Sequence, residues 1–338
     1  MYILYIGNKL LKHGYSATNI ETLGPLLEKE GYTLFYASDK LNYLLRLFDM
    51  LTSVWRNRKI VDYILIDTYS RKSLWGTLLV ATLCRMLNLR YITILHGGNL
   101  PKELNAKPIL TKWIFGGAYR LIAPSGYLKY EFEKRGYRVL LIPNNININA
   151  YLFKQRDKIK PDLLFVRSFH EVYNPEMAIK VLAKLKKAKP NATLCMIGPD
   201  KDGSMERCKL LAEELGVIND VLFTGKLTKE EWHRLSEEYD VFINTTNVDN
   251  TPVSVIEAMA LGLPVVSTNV DGLPYLLEDG KDALMVEKGD VDGMVGAVIK
   301  LIDDDEIVKK LAGNGRIKAE SFDWDVVKMI WNKEFKIR

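Results

Sequence analysis

Cysteine is scarce in this chain, and no apolar stretch runs unbroken for the length that a membrane crossing needs. The three cysteines, Cys84, Cys195 and Cys208, are odd in number and share no metal-ligand spacing, which argues against a disulfide framework and a zinc site. Cys84 and Cys195 sit inside apolar runs and read as buried free thiols, which suits a reducing cytoplasm. The longest apolar region, Leu74 to Leu95, is interrupted by Arg85 and Arg90 and is too broken to span a bilayer. The start, Met1-Tyr2-Ile3-Leu4-Tyr5-Ile6-Gly7, has neither the basic lead nor the cleavage site of a signal peptide, and reads as a buried strand. A soluble cytoplasmic protein is expected. Gly7 and Gly14 do not make a Gly-x-Gly-x-x-Gly fingerprint, which excludes a nicotinamide dehydrogenase of the usual kind. The chain also has no Gly-x4-Gly-Lys-Ser/Thr loop, so a P-loop ATPase is excluded as well. Internal repeats and low-complexity segments are missing too.

What is present is an α/β pattern carrying an uneven charge. With 338 residues, 48% of them apolar, the chain is long enough for two α/β domains, each with its own core. Residues 1–158 hold 23 Lys and Arg against 11 Asp and Glu, and the remainder holds 24 against 31. A net +5 thus hides a basic half, which either faces an anionic partner or simply keeps its domain in solution. Short β-rich runs alternate with helix-length segments throughout, the mark of parallel α/β layers. In the first half the strands are expected at Tyr2–Ile6, Thr33–Tyr36, Tyr63–Ile66, Tyr91–Leu95, Leu121–Ala123 and Val139–Ile142, with helices such as Asn19–Glu30 and Leu74–Leu87 between them. In the second half they are expected at Leu163–Val166, Thr193–Ile197, Val221–Phe223, Val241–Asn244, Pro264–Ser267 and Ala283–Val286. The asparagine-rich segment Pro143 to Asn149 lacks apolar periodicity and reads as a hinge. At the end, Trp324, Val327, Ile330 and Trp331 form one stripe of a helix that must pack onto something.

The stretch from Asn244 to Val266 carries the most chemistry. A strand ends near Asn244, a polar loop follows, and a helix is expected to start with Thr251 as N-cap and Pro252 at its first position. It stops at Gly262. Free N–H groups around Val253 to Val255 are expected to make an anion site at the end of a strand, suited to a diphosphate. Glu257 is the only charged side chain between Thr251 and Val266 and lies among Val253, Val255, Ile256, Met259 and Leu261. A carboxylate in so apolar a helix needs partners. They are either a pair of ribose hydroxyls behind the phosphate site or the cation of an internal salt bridge.

This stretch resembles the signature of retaining glycosyltransferases of family 4, in which two acids eight residues apart precede Ala-Met-Ala and Gly-x-Pro-Val-Val. Here the second acid is Glu257, and the first position holds Asp249 in place of the usual Glu. The resemblance runs along nearly the whole chain and implies a GT-B fold, two Rossmann-like, doubly wound domains facing a central cleft. By it, residues 1–150 bind the acceptor, residues 160–322 bind the nucleotide-sugar, and the helix 323–338 packs back on the first domain. It implies further that Glu257 binds the ribose, that Asp249 contacts hydroxyls of the transferred sugar, and that backbone around Asn250, Thr251, Val253 and Ser254 contacts the phosphates. Pro143-Asn144-Asn145 is similar to the family's Pro-Asn-Gly hinge. Phe165-Val166-Arg167 is similar to its strand-end Gly-Arg, which places Arg167 on the diphosphate, a task that suits an always-charged guanidinium. Gly198 corresponds to a turn beneath the same site, and the loop with Lys226 and Leu227 to the one that edges the nucleobase.

The family usually has a lysine a few residues after that arginine, and here the position holds Tyr173. Either Lys226 or His170 supplies the second cation, or Arg167 and helix N–H groups hold the diphosphate alone. In the first half, Leu95-His96-Gly97-Gly98-Asn99 is a strand running into a His-Gly-Gly loop. The resemblance puts His96 near the donor sugar and the reacting bond, against the plainer reading of a histidine that caps a loop. Gly14, with Lys12, His13 and Ser16 beside it, lies in the first strand–helix loop, where the family approaches phosphate and acceptor. The reaction implied is transfer of a hexose-type sugar with retention, from a UDP-sugar first and a GDP-sugar second. Leaving-group charge would be met by Arg167 and the helix N-terminus, with neither a metal nor another cofactor.

Residues 40–59 are basic and amphipathic, with Trp55 at the edge of the apolar face. Such a segment either lies in a membrane interface or is a core helix with a solvated basic end. With the basic first half it points to a glycan or polyprenyl-diphosphate-linked acceptor in surface-polysaccharide synthesis, and to peripheral contact with an anionic membrane at its inner face. Nucleic acid is not among the expected partners. Two rival readings share the fold: a nucleotide-sugar epimerase, and a non-catalytic nucleotide-sugar-binding subunit.

Overall fold

Every strand expected from the sequence forms, within two residues of its expected bounds, in a computed structural model that describes residues 1–15 and 17–336. The chain divides into two compact units, Met1–Pro143 with Lys328–Arg338, and Asn144–Val327. Residues 144–150, given to the first domain by the sequence reading, belong to the second unit. Ile146 is buried in a core of that unit together with Tyr151 and bridges to Asp323. Ser16, Ile337 and Arg338 lie outside the described residues.

The first unit holds β1 (Tyr2–Ile6), β2 (Thr33–Ala37), β3 (Tyr63–Thr68), β4 (Tyr91–Leu95), β5 (Arg120–Ala123) and β6 (Val139–Leu141). They form one parallel sheet in the order β2-β1-β3-β4-β5-β6. Chain order reverses between β1 and β3, the switch point at which open α/β sheets take ligands. The connecting helices are α1 (Asn19–Lys29), α2 (Tyr43–Asn57), α3 (Lys72–Met86), α4 (Leu100–Ala106), α5 (Pro108–Gly116) and α6 (Gly126–Glu133). Strands β3 and β4 are buried residue after residue, which is why they read as continuous apolar runs.

The second unit repeats the plan with β7 (Asp162–Val166), β8 (Thr193–Ile197), β9 (Val221–Gly225), β10 (Val241–Asn244), β11 (Val265–Thr268) and β12 (Leu284–Val286), in the order β12-β11-β10-β7-β8-β9. Its switch point lies between β7 and β10. Its helices are α7 (Pro175–Ala188), α8 (Ser204–Glu214), α9 (Lys229–Leu235), α10 (Val253–Ala260), α11 (Leu273–Leu276), α12 (Val291–Asp303) and α13 (Asp305–Glu320).

The last helix, α14 (Trp324–Lys336), gives its first residues to the second unit and the rest to the first. In the first unit Phe335 sits against the rings of Tyr32 and Tyr63 and stacks on Trp331, while Asn332 Oδ1 accepts from Tyr32 Oη at 2.5 Å. The expected stripe is thus used for packing, with Val327 and Trp331 buried. All three cysteines are buried free thiols, and burial pushes Cys84 and Cys208 up to about 12 and Cys195 up to about 11.

Candidate functional site

In the second unit, Arg167 follows β7 and the loop 245–252 follows β10, so both leave the carboxyl ends of the two strands at the switch point. Gly198, just past β8, makes this possible. Its φ is +154°, and a Cβ there would stand 2.0 Å from the Arg167 carbonyl oxygen. Arg167 donates to the Asp249 carboxylate and lies 4.1 Å from the Tyr173 ring centroid, while its Nε is buried without a hydrogen-bond partner among the described residues. Tyr173, in the family's lysine position, therefore shields the arginine's face rather than adding a charge. Burial raises the Asp249 carboxyl above its ordinary value, and the Arg167 charge only partly offsets this. Asp249 also accepts from the Asn250 backbone at 2.8 Å.

Helix α10 starts one residue later than expected. Pro252 is its N-cap, with a ψ of 113°, and no side chain caps it; Thr251 stays in the loop before it. Proline's fixed φ suits the position before a helix as well as the first position within it, so sequence alone could not separate the two. Val253 and Ser254 open the helix, and the Ser254 Oγ is buried without a partner among the described residues. Gly262 takes φ +78° just past the helix end, as expected.

Glu257 is 4% exposed. Its Oε1 accepts from Lys229 Nζ at 2.6 Å and from Tyr151 Oη at 2.9 Å. The internal cation that the sequence left open thus exists, but it comes from a lysine whose side chain is 61% exposed. Burial and the adjacent carboxylate both hold the Tyr151 hydroxyl protonated. Neither Lys229 nor Tyr151 carried a sequence signal. Lys229 reads as the first turn of a helix capped by Thr228 and Glu231, and Tyr151 as the end of a linker.

Lys226 is exposed on its loop, with Leu227 packed against a core of the unit. His170 caps the turn Glu171–Tyr173, its Nδ1 accepting from the Val172 backbone at 3.1 Å, so it is a structural cap. Two Asp-x-Asp triplets follow strands β8 and β12, and their carboxylates are engaged as caps and ion pairs. Asp200 accepts from Gly203, Asp202 from Ser204 and Glu171, Asp290 from Gly293, and Asp292 pairs with Lys184.

In the first unit, His96 leaves the end of β4, its backbone N–H donating to Thr68. Its Nε2 stands 2.8 Å from Asp67 Oδ1, and the Tyr69 ring stacks on the imidazole at 5.2 Å. Gly97 follows, where a Cβ would lie 2.9 Å from the Ser70 nitrogen, and Gly98 forms the turn into α4. Gly14 takes φ +81° to end the turn Leu11–His13, well exposed. Beside it Lys12 pairs with Asp39 at 2.5 Å, and His13 bonds the Asp39 carbonyl at 3.0 Å. Asp67, which nothing in the sequence marked, is the residue that holds His96.

The sequence profile described as "Glycosyl transferases group 1" matches residues 150–318, half of the chain, and covers the whole Arg167–Asp249–Glu257 region. The chain belongs to the group 1 glycosyl transferases. A similar curated member of this kind is the D-inositol 3-phosphate glycosyltransferase of Corynebacterium jeikeium, 28% identical over 165 residues, 47% of this chain and 39% of that protein. Alignments with two further curated relatives, a D-inositol 3-phosphate glycosyltransferase of Paenarthrobacter aurescens and an N-acetyl-alpha-D-glucosaminyl L-malate synthase of Bacillus anthracis, cover 65% and 62% of their lengths, so the chain spans less than two thirds of these first relatives. Among solved structures, sucrose-phosphate synthase from Thermosynechococcus elongatus superposes with a TM-score of 0.82 over 99% of this chain and 98% of that one, at 16% identity. Anabaena HepE in complex with UDP does so with a TM-score of 0.78 over 99% of both chains, at 17% identity. These likenesses establish the GT-B architecture of a group 1 glycosyl transferase.

Proposed function

We propose that the protein is a retaining glycosyltransferase that binds a nucleotide-sugar, a UDP-sugar first and a GDP-sugar second, on its second unit. A single observation carries this reading: a buried carboxylate, Glu257, sits behind a helix N-terminus at the switch point, and its countercharge is an exposed lysine. A ribose diol can donate hydrogen bonds to such a carboxylate while Lys229 swings to water. Arg167 Nε and Ser254 Oγ, unpartnered among the described residues, supply donors for a diphosphate together with the first N–H groups of α10. Catalysis is then mainly positioning and stabilisation of the leaving diphosphate, with no metal required. The Asp249 carboxylate must yield Arg167 to the phosphates before it can meet a sugar hydroxyl. HepE, solved with UDP, supports the choice of uridine.

The acceptor, on this proposal, is a glycan on a lipid diphosphate, reached at an anionic membrane on its inner face. On the solvent side of α2, Leu44, Leu45, Phe48 and Trp55 are 71%, 61%, 68% and 52% exposed. Trp75 on α3 and Trp113 on α5 extend the apolar surface, and a cation stands by each tryptophan: Arg58 by Trp55, Lys107 by Trp75, Arg85 by Trp113. Aromatics paired with cations suit the interface of an anionic bilayer. Among the described residues no helix is long and apolar enough to cross one. A cavity of about 620 Å³, lined by Lys9, Lys12 and Lys40 together with Glu21, Asp39 and Asp49 (the last on α2), has room for a sugar of the acceptor.

A thermal-shift panel of UDP, GDP, ADP and CMP on the wild type and on Glu257→Ala tests the donor half. A ligand at a hundred times its dissociation constant adds about 2.7 kcal/mol. Stabilisation of the wild type by one nucleotide, lost in the variant, is the expected result. Stabilisation by none of them would overturn it. Binding without turnover would favour the non-catalytic subunit instead.

A further inference from the structure

The first unit has its own buried carboxylate at its own switch point. Asp67 lies at the end of β3, next in register to Gly7 at the end of β1, and its side chain is fully buried. Gly7 is glycine for this reason: a Cβ would stand 2.7 Å from Asp67 Oδ2. The Oδ2 atom is buried without a hydrogen-bond partner among the described residues, while Oδ1 faces both His96 Nε2 at 2.8 Å and Tyr5 Oη at 3.1 Å. A carboxylate placed so far from water at the carboxyl edge of a sheet is a cost that packing alone does not explain.

The directions of these bonds follow from what each group can donate. Asn19 Nδ2 donates to Tyr5 Oη at 2.7 Å, so the one proton of the tyrosine points at Asp67. Burial, reinforced by Asp67, raises the Tyr5 hydroxyl far above its ordinary range and keeps that proton in place. An ionised carboxylate only accepts, so His96 must bring a proton on Nε2. In the neutral ring the other nitrogen, Nδ1, carries a lone pair, and no hydrogen bond reaches it among the described residues. With the Tyr69 ring stacked on one face, the imidazole is held in one orientation.

We propose that Asp67 is a positioning residue that locks His96 in the Nε2–H tautomer, so that Nδ1 accepts a hydrogen bond from a sugar hydroxyl rather than donating one to a phosphate. The fully buried Asp67 touches no substrate and acts only through His96. This rests on the glycosyltransferase reading for the identity of the hydroxyl, but not for the state of the ring.

The full chain has four histidines, so ¹⁵N imidazole spectra can be resolved and His96 assigned by comparison with His96→Gln. In the wild type near neutral pH, His96 should show a protonated Nε2 and an unprotonated Nδ1. Asp67→Asn, whose amide can donate as well as accept, should lose that single-tautomer pattern. Tyr5→Phe removes the other side-chain donor to Asp67 and should preserve the pattern, which keeps the test open if Asp67→Asn does not fold. An averaged tautomer or a doubly protonated ring in the wild type would overturn the proposal, as would collapse of the pattern in Tyr5→Phe. UDP binding, followed separately by thermal shift, reports on the donor reading alone, so the two can fail independently.

Discussion

Glu257 and Asp67 are both buried carboxylates in apolar surroundings, one in each unit, yet they are partnered in opposite ways. The countercharge of Glu257 is the tip of an exposed lysine, which can return to water at little cost. Asp67 faces a stacked histidine and a fully buried tyrosine, neither of which can leave. A carboxylate with a mobile partner can be handed to a ligand, whereas one enclosed by fixed partners can act only through them. The same side-chain chemistry therefore gives a binding group in one place and a positioning group in the other.

The contrast is sharpest in a pair of alanine variants. Removing Asp67 strands the His96 and Tyr5 donors, and Asp67→Ala should lose about 3 kcal/mol of unfolding free energy in urea. Glu257→Ala releases Lys229 to solvent and strands only the Tyr151 hydroxyl, so it should cost less. Equal losses in the two would erase the distinction. Gly198→Ala forces a Cβ against the Arg167 carbonyl and should cost about 1–3 kcal/mol while weakening UDP binding, because the arginine is displaced with its backbone.

Lys229→Ala leaves the buried Glu257 with the Tyr151 hydroxyl alone and should cost about 1–3 kcal/mol in the absence of nucleotide. If Lys229 is only a stand-in for the ribose, the variant should bind UDP at least as well as the wild type. A smaller effect is expected at the surface. Phe48→Glu should change stability by no more than about 0.5 kcal/mol. It should nevertheless abolish co-sedimentation with phosphatidylglycerol vesicles, and retained co-sedimentation would remove α2 from the membrane surface.

Much of the fold was legible because strands buried on both faces, such as Tyr63–Thr68 and Tyr91–Leu95, leave apolar runs bounded by turns. Arg167, Asp249 and Glu257 were legible as residue types at a known spacing, and Glu257 also by its isolation in an apolar helix. Their pairing was not. That Asp249 meets Arg167, 82 positions away, depends on two strands lying side by side. Asp67 was invisible because a carboxylate at a strand end is ordinary in sequence, and only the topology brings it to His96, 29 positions on. Lys226 and His170 stood as alternatives for a second cation beside Arg167, and Lys229, three residues past Lys226, is the lysine that reaches Glu257.

The most direct test of Glu257 as the ribose-binding group is to compare UDP with 2′-deoxy-UDP by calorimetry on the wild type and on Glu257→Ala. The wild type should bind UDP more tightly by about 1.5–3 kcal/mol, the worth of a hydrogen bond to a charged group. In the variant that preference should vanish. Equal affinity of the wild type for the two nucleotides, or a preference that survives in Glu257→Ala, would contradict the account.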